Sequence, residues 1–213
     1  MTPSTDWNAW HDAYRDPASE LSRRLAFVQG QIRDVLNSLD GPVTITSACA
    51  GDGRDVLEVL AEREDADRVR VVLIETDEQN IRRAEHRLWD DEIANVEIRQ
   101  ADAGTTSSYA GAVPADLLLM CGVMGNIVDD DVRTLVGQLP SMCRPGTVVL
   151  WTRTREAPDL TPRIREWFAE SDFQEESFFA PLDDDTLISV GRHRFAGTPA
   201  PFEPGRHLFT FVR

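Results

Sequence analysis

Short apolar runs and stretches of helical period alternate along most of this chain. Residues 43–48, 69–75, 96–101, 115–121 and 147–154 are runs of strand length, mostly rich in Val, Leu and Ile. Residues 174–179, 185–195 and 207–212 alternate in a β-like manner. Between them, Leu21, Leu25, Val28, Ile32, Leu36 and Leu39 keep a 3.6-residue period in a helix opened by Ser19. Further helices are expected over residues 55–64, from an Asp77 cap to about 88, over 129–139, and from Thr161-Pro162, where Ile164, Trp167 and Phe168 turn to the core. Strand and helix in turn predict an α/β fold, a three-layer αβα sandwich whose mostly parallel sheet is closed by an antiparallel hairpin at one edge. Residues 1–40 read as an N-terminal helical extension and 41–213 as the main domain.

The stretch that organises the chain is residues 43–54, where an apolar strand breaks into a turn carrying Gly51 and Gly53 before a helix. Missing Cβ atoms and a helix start with unpaired N–H groups make a cradle for a small polar ligand, although any tight βα turn also uses glycines. The next strand ends in Glu75, roughly 20 residues on, where a parallel neighbour brings a carboxylate to a nucleoside's ribose hydroxyls. Asp102, after the third strand, fits either an Asx turn or a site. The fourth strand, almost wholly apolar as a central parallel strand should be, leads into residues 122–127. Gly125-Asn126 there is either a turn or, with Asn126 as ligand, part of a site at the carboxyl end of the sheet. Arg153, at the end of the fifth strand, is a candidate for an anionic acceptor. Trp7, Trp10 and Tyr14 share one face of a short helix over residues 6–15, which either packs on the domain or covers a ligand, with His11 and Tyr14 as polar contacts.

Composition narrows the partners. The formal net charge of −15 repels a phosphate backbone, and no basic run offsets it, so no nucleic acid is expected. No apolar run reaches membrane-spanning length, and the N-terminus is polar, which implies a cytoplasmic protein that engages no membrane. Three cysteines without Cys-x-x-Cys spacing suit a reducing compartment, and four scattered histidines imply no metal site.

The segments Ser47-Ala-Cys-Ala-Gly-Asp-Gly53, Glu75-Thr-Asp77 and Gln100-Ala-Asp-Ala103 resemble the class I S-adenosylmethionine (SAM)-dependent methyltransferases. That family carries acid-x-Gly-x-Gly-x-Gly after the first strand, a ribose-binding acid after the second and an adenine-binding Asp after the third. Ser47 stands where the acid usually is, and Cys49 where the first glycine is. The resemblance implies a seven-stranded sheet and SAM as cofactor, bound by Tyr14, Ala50, Gly51, Gly53, Glu75, Thr76, Asp102, Ala103, Cys121 and Gly122. It further implies a small-molecule acceptor contacted by Trp10, Asn126 and Arg153. His11, Tyr14 and Asn126 are the only catalytic nominees, because in-line displacement from a sulfonium needs alignment more than acid–base groups. Arg24 is a candidate partner for the SAM carboxylate. Family strand order also brings Cys49 and Cys121 to one rim, where two reduced thiols are expected over a disulfide. The implied activity is O- or N-methylation. The alternatives are a non-catalytic SAM-fold binding protein and a nucleotide-cofactor oxidoreductase, the latter disfavoured by the lack of Gly-x-Gly-x-x-Gly spacing. A homodimer is left open.

Overall fold

The computed structural model describes residue 16, residues 19–181 and residues 187–212. The expected helix over residues 6–15, with Trp7, Trp10, His11 and Tyr14, lies outside the described residues. Within them the order is α1 (Glu20–Ser38), β1 (Val43–Ala48), α2 (Arg54–Ala61), β2 (Val69–Glu75), α3 (Glu78–Asp90), β3 (Val96–Gln100), β4 (Ala115–Met120), α4 (Asp129–Gln138), β5 (Cys143–Thr154), α5 (Thr161–Glu170), β6 (Phe173–Phe179) and β7 (Ile188–Phe195).

Local chemistry sets the helix ends. Ser19 caps α1 by accepting the Ser22 N–H at 3.1 Å, and Asp77 caps α3 by accepting that of Asn80 at 2.9 Å. The last turn of α1 has no basic residue of its own. Arg68, arriving just before β2, supplies one by donating to the carbonyls of Leu36, Leu39 and Gly41 at 2.7, 2.9 and 2.8 Å.

The sheet runs β3-β2-β1-β4-β5-β7-β6, with β7 antiparallel to both of its neighbours and the first five strands parallel. Alternation divides its two faces. Val43 and Ile45 of β1 join Val28, Ile32, Leu36, Leu57 and Leu60 beneath α1 and α2, whereas Ala48 joins Val132, Leu135, Ile164 and Phe168 beneath α4 and α5. The layered sandwich and the edge hairpin agree with the sequence pattern.

Two elements differ from it. β5 starts at Cys143 instead of 147, because Arg144-Pro145-Gly146 is absorbed as an irregularity within the strand. Ala115 pairs with Cys143 while Leu117 pairs with Val148, and the Thr147 hydroxyl bridges the shift by donating to the Ala115 carbonyl at 2.7 Å and accepting the Arg144 N–H at 3.0 Å. Residues 207–212 are not a sheet strand. They make only isolated bridges, Thr105 with His207 and Ile127 with Phe211, because the segment crosses the ends of β3 and β4 rather than running beside a strand.

At the hairpin, Gly191 of β7 lies against Trp151 of β5, where a Cβ would fall 2.2 Å from Trp151 Cε2. The same indole donates from Nε1 to His193 Nδ1 at 3.1 Å. Burial pushes the His193 imidazole down to about 4, outweighing the neighbouring Glu175 carboxylate.

From β1 the chain steps outward to β2 and β3, then returns across β1 to β4. Adjacent strands whose connections leave in opposite directions open a crevice at their carboxyl ends, and here that crevice lies beyond β1 and β4.

Candidate functional site

The site is built on the turn between β1 and α2. Cys49, Gly51 and Gly53 all take left-handed backbone, with φ of 52°, 58° and 68°. Gly53 is the N-cap of α2, and a Cβ there would sit 2.8 Å from Leu73 Cδ1 and 3.0 Å from Leu57 Cδ1, so the helix can approach the sheet only over a glycine. Cys49, where the resembling family has glycine, occupies that same backbone region as a non-glycine residue, at a cost of about 1 kcal/mol.

The strand ends then bring the acids in. The Ala50 N–H donates to the Ile74 carbonyl at 3.0 Å and the Ala101 N–H to that of Glu75 at 3.1 Å, so the chain beyond β1, β2 and β3 stays in register past the sheet. Glu75 is buried. Its Oε2 accepts the Gly51 N–H at 2.7 Å, and its Oε1 accepts those of Thr76 and Asp77, each at 2.8 Å. Glu75 therefore clamps the glycine turn as well as presenting a carboxylate. Asp102 is exposed and closes an Asx turn by accepting the Gly104 N–H on Oδ1 at 2.8 Å. Both carboxylates face Cys49, whose thiol is pushed up first by burial and then by Glu75 and Asp102. All three cysteines are free thiols.

The other wall follows β4. The Gly122 N–H donates to Thr152 Oγ1 at 2.8 Å, Asn126 Nδ2 donates to the Gly122 carbonyl at 2.6 Å, and the Asn126 N–H donates to that of Val123 at 2.9 Å. Asn126 thus makes the turn and borders the cavity at once. Residues 206–212 form a strap over both loops. The Leu208 N–H donates to the Gly104 carbonyl at 2.7 Å and the Val212 N–H to that of Asn126 at 2.9 Å, which sets Phe211 into the wall. Gly104 makes this passage possible, since a Cβ there would lie 2.3 Å from the Phe209 carbonyl oxygen.

Together these elements enclose a cavity of about 530 Å3, within the range of small-molecule sites. Of the residues expected to bind cofactor, Ala50, Gly51, Glu75, Thr76, Asp102, Ala103, Cys121 and Gly122 line it, and so does Asn126. Gly53 does not; its part is the approach of α2 to the sheet. Arg153 does not line it either. Its guanidinium donates to the Met124 carbonyl and to Asp129 Oδ1, bracing the β4 loop from behind, so the expectation of an acceptor ligand is corrected to a structural clamp. Trp10, His11 and Tyr14 lie outside the described residues.

Sequence reasoning missed Phe211 and Asp55. Asp55 stands in the first turn of α2, accepts the Val56 N–H on Oδ1 at 2.9 Å and borders the cavity with Arg24 of α1. Burial raises its carboxyl to about 6, with neighbouring Asp52 adding and Arg24 opposing. The only signal was an acid two residues after the last glycine. Among the described residues no group of three or more His, Cys, Asp or Glu could hold a metal ion.

No protein-family model and no curated protein matches the sequence. Solved structures do. The chain is similar to magnesium protoporphyrin IX methyltransferase from Synechocystis PCC 6803 with bound SAM, at a TM-score of 0.71 and 10% identity over 91% of this chain and 92% of that one. The chain has the class I SAM-dependent methyltransferase fold. Other methyltransferase neighbours are an rRNA methylase from Streptococcus thermophilus (TM-score 0.58, 15% identity, 84% of this chain and 97% of that one) and Aeropyrum pernix fibrillarin with natively bound SAM (TM-score 0.56, 14% identity, 72% and 67%). The expectation of no nucleic-acid partner is thereby corrected, because proteins of this fold include one named for rRNA and the fibrillarins, one of them described as a pre-rRNA processing protein. Net charge describes a whole surface, whereas an acceptor meets one rim of it. Among the described residues no helix is long and apolar enough to cross a membrane.

Proposed function

We propose that this chain transfers a methyl group from SAM to an oxygen or nitrogen of a small-molecule acceptor. The observation that carries the reading is the convergence of Glu75 and Asp102 on the bare main chain of the Cys49–Gly53 turn. Glu75 spends Oε1 on two N–H groups and Oε2 on one, which leaves acceptor capacity on Oε2 for a ribose hydroxyl. Asp102 commits Oδ1 to its turn, and its Oδ2 is suited to an adenine amino group. A nicotinamide dinucleotide is disfavoured because the turn lacks Gly-x-Gly-x-x-Gly spacing and Glu75 occupies the Gly51 N–H where a pyrophosphate would dock.

SAM, when bound, supplies a sulfonium-activated methyl group with a neutral leaving group. The chain's own work is then positional: the strand ends hold the nucleoside, while Cys121, Gly122, Asn126 and Phe211 wall the space in which an acceptor is aligned and kept from water. An enclosed cavity roofed by the strap favours a small acceptor. The test is calorimetric titration with SAM, S-adenosylhomocysteine and NADH, followed by turnover to S-adenosylhomocysteine over a panel of phenols, amines, carboxylic acids and structured RNA. SAM binding with turnover on a small acceptor supports the reading. Tighter NADH binding, binding without turnover on any acceptor, or turnover confined to RNA would each refute it.

A further inference from the structure

Two charged groups border the cavity away from the strand ends that hold Glu75 and Asp102, and the adenosyl reading gives them no task. Asp55 begins α2 and Arg24 lies one turn before Val28 on the packed face of α1. Gln29 fixes the two helices relative to each other by donating from Nε2 to the Arg54 carbonyl at 3.2 Å and to Glu58 Oε2 at 2.7 Å. Sheet order sets these charges apart from the first pair. Glu75 and Asp102 stand at β2 and β3, on one side of β1, whereas Asp55 and Arg24 both act on the Cys121 thiol at the end of β4, on the other side. Between them Ser47, at the end of β1, brings only a neutral hydroxyl to the cavity. One Asp55 oxygen serves its own helix, and Oδ2 has no hydrogen-bond partner among the described residues.

An anion and a cation facing one half-buried space, with a nucleoside site on the far side of β1, match a ligand that carries both charges at the end opposite its base. We propose that Asp55 and Arg24 read the zwitterionic α-amino-acid group of the cofactor, with the Asp55 carboxylate taking the ammonium and the Arg24 guanidinium the carboxylate. This deepens the SAM reading and rests on it. A buried acid held near its protonated form beside Asp52 is unfavourable in the empty protein, and an entering ammonium relieves it. Arg24, Asp52 and the Cys121 thiol are the ionisable groups that face Asp55.

The experiment compares S-adenosylhomocysteine with 5′-methylthioadenosine, which keeps the nucleoside and sulfur but lacks the amino-acid group, by calorimetry on the full chain. D55N and R24Q should each weaken S-adenosylhomocysteine by roughly 10- to 100-fold, as expected for a lost charged hydrogen bond, and leave methylthioadenosine within about twofold. D102N should weaken both ligands alike. Wild-type affinity for S-adenosylhomocysteine should climb by up to about tenfold per unit towards pH 6 and then level, with proton release on binding, because the ammonium requires ionised Asp55. In D55N both the climb and the release should vanish. Equal losses on the two ligands, or no loss on either, would overturn the Asp55–Arg24 assignment and leave the SAM reading standing. Failure of wild-type protein to bind either ligand would overturn both. Asparagine keeps the Oδ1 acceptor for Val56, and R24Q carries the test by itself should D55N not fold.

Discussion

Replacing Glu75 by Gln tests the claim that one side chain both shapes the turn and binds the nucleoside. The amide retains Oε1 for the N–H groups of Thr76 and Asp77, but puts an NH2 where Oε2 accepted the Gly51 N–H at 2.7 Å. A charge-assisted bond is lost and two donors are opposed in a buried place. Each of these is of order 1–3 kcal/mol, and relaxation of the exposed turn makes the lower half of their sum the reasonable figure, about 2–3 kcal/mol. For a chain of this size that is a fall in Tm of roughly 4–10 °C. The same substitution removes an acceptor for a ribose hydroxyl, so S-adenosylhomocysteine affinity should fall by about tenfold or more. Differential scanning calorimetry with and without ligand measures both effects. An unchanged Tm would refute the clamp, and an unchanged ligand-induced shift alongside a lowered Tm would refute the ribose contact.

Three further outcomes are expected. His193 is fully buried and its imidazole is lowered from 6.5 to about 4, so the unfolded chain takes up the proton first as pH falls. The stability that depends on it is intact above pH 6.5 and lost between 6.5 and about 4, to a total of about 3 kcal/mol. Urea titrations of wild type and His193→Gln across that range isolate it, since the opposing contribution of Asp55, raised to about 6, is common to both; parallel pH curves would show that the imidazole is not held neutral. Gly104→Ala should cost about 2 kcal/mol or more and expose the strap to proteases, because its Cβ cannot coexist with the Phe209 carbonyl 2.3 Å away. Unchanged cleavage of the C-terminal segment would contradict that placement. D55N should raise the Tm of the ligand-free protein at pH 8 even as it loses cofactor, since the neutral amide no longer pays for a buried charge; a lowered Tm would count against it.

The parallel strands were legible because a central strand covered on both faces must be apolar along its length, and β1, β2 and β4 obey that without exception deep in the sheet. Glu75 and Asp102 were legible for a related reason, since acids that directly follow such runs have only the sheet's carboxyl rim to occupy. Arg153 had the same address but a different fate. Whether a rim arginine meets a ligand or Asp129 depends on a partner 24 residues away in the chain, and no local pattern encodes that choice. Residues 207–212 misled because their alternation is real, with Leu208 and Phe209 buried and Thr210 exposed, yet it arises from crossing strand ends. Asp55 stayed hidden because an acid in the first turn of a helix is usually no more than a response to the helix dipole.

The strap has a practical consequence for anyone handling this protein. Val212 is hydrogen-bonded to Asn126 and Phe211 borders the cavity, so an affinity tag or fusion partner joined after residue 213 would emerge at the entrance used by an acceptor. Assays on such a fusion would report the appended sequence along with the enzyme, and a negative turnover result would carry weight only after the appendage had been cut away.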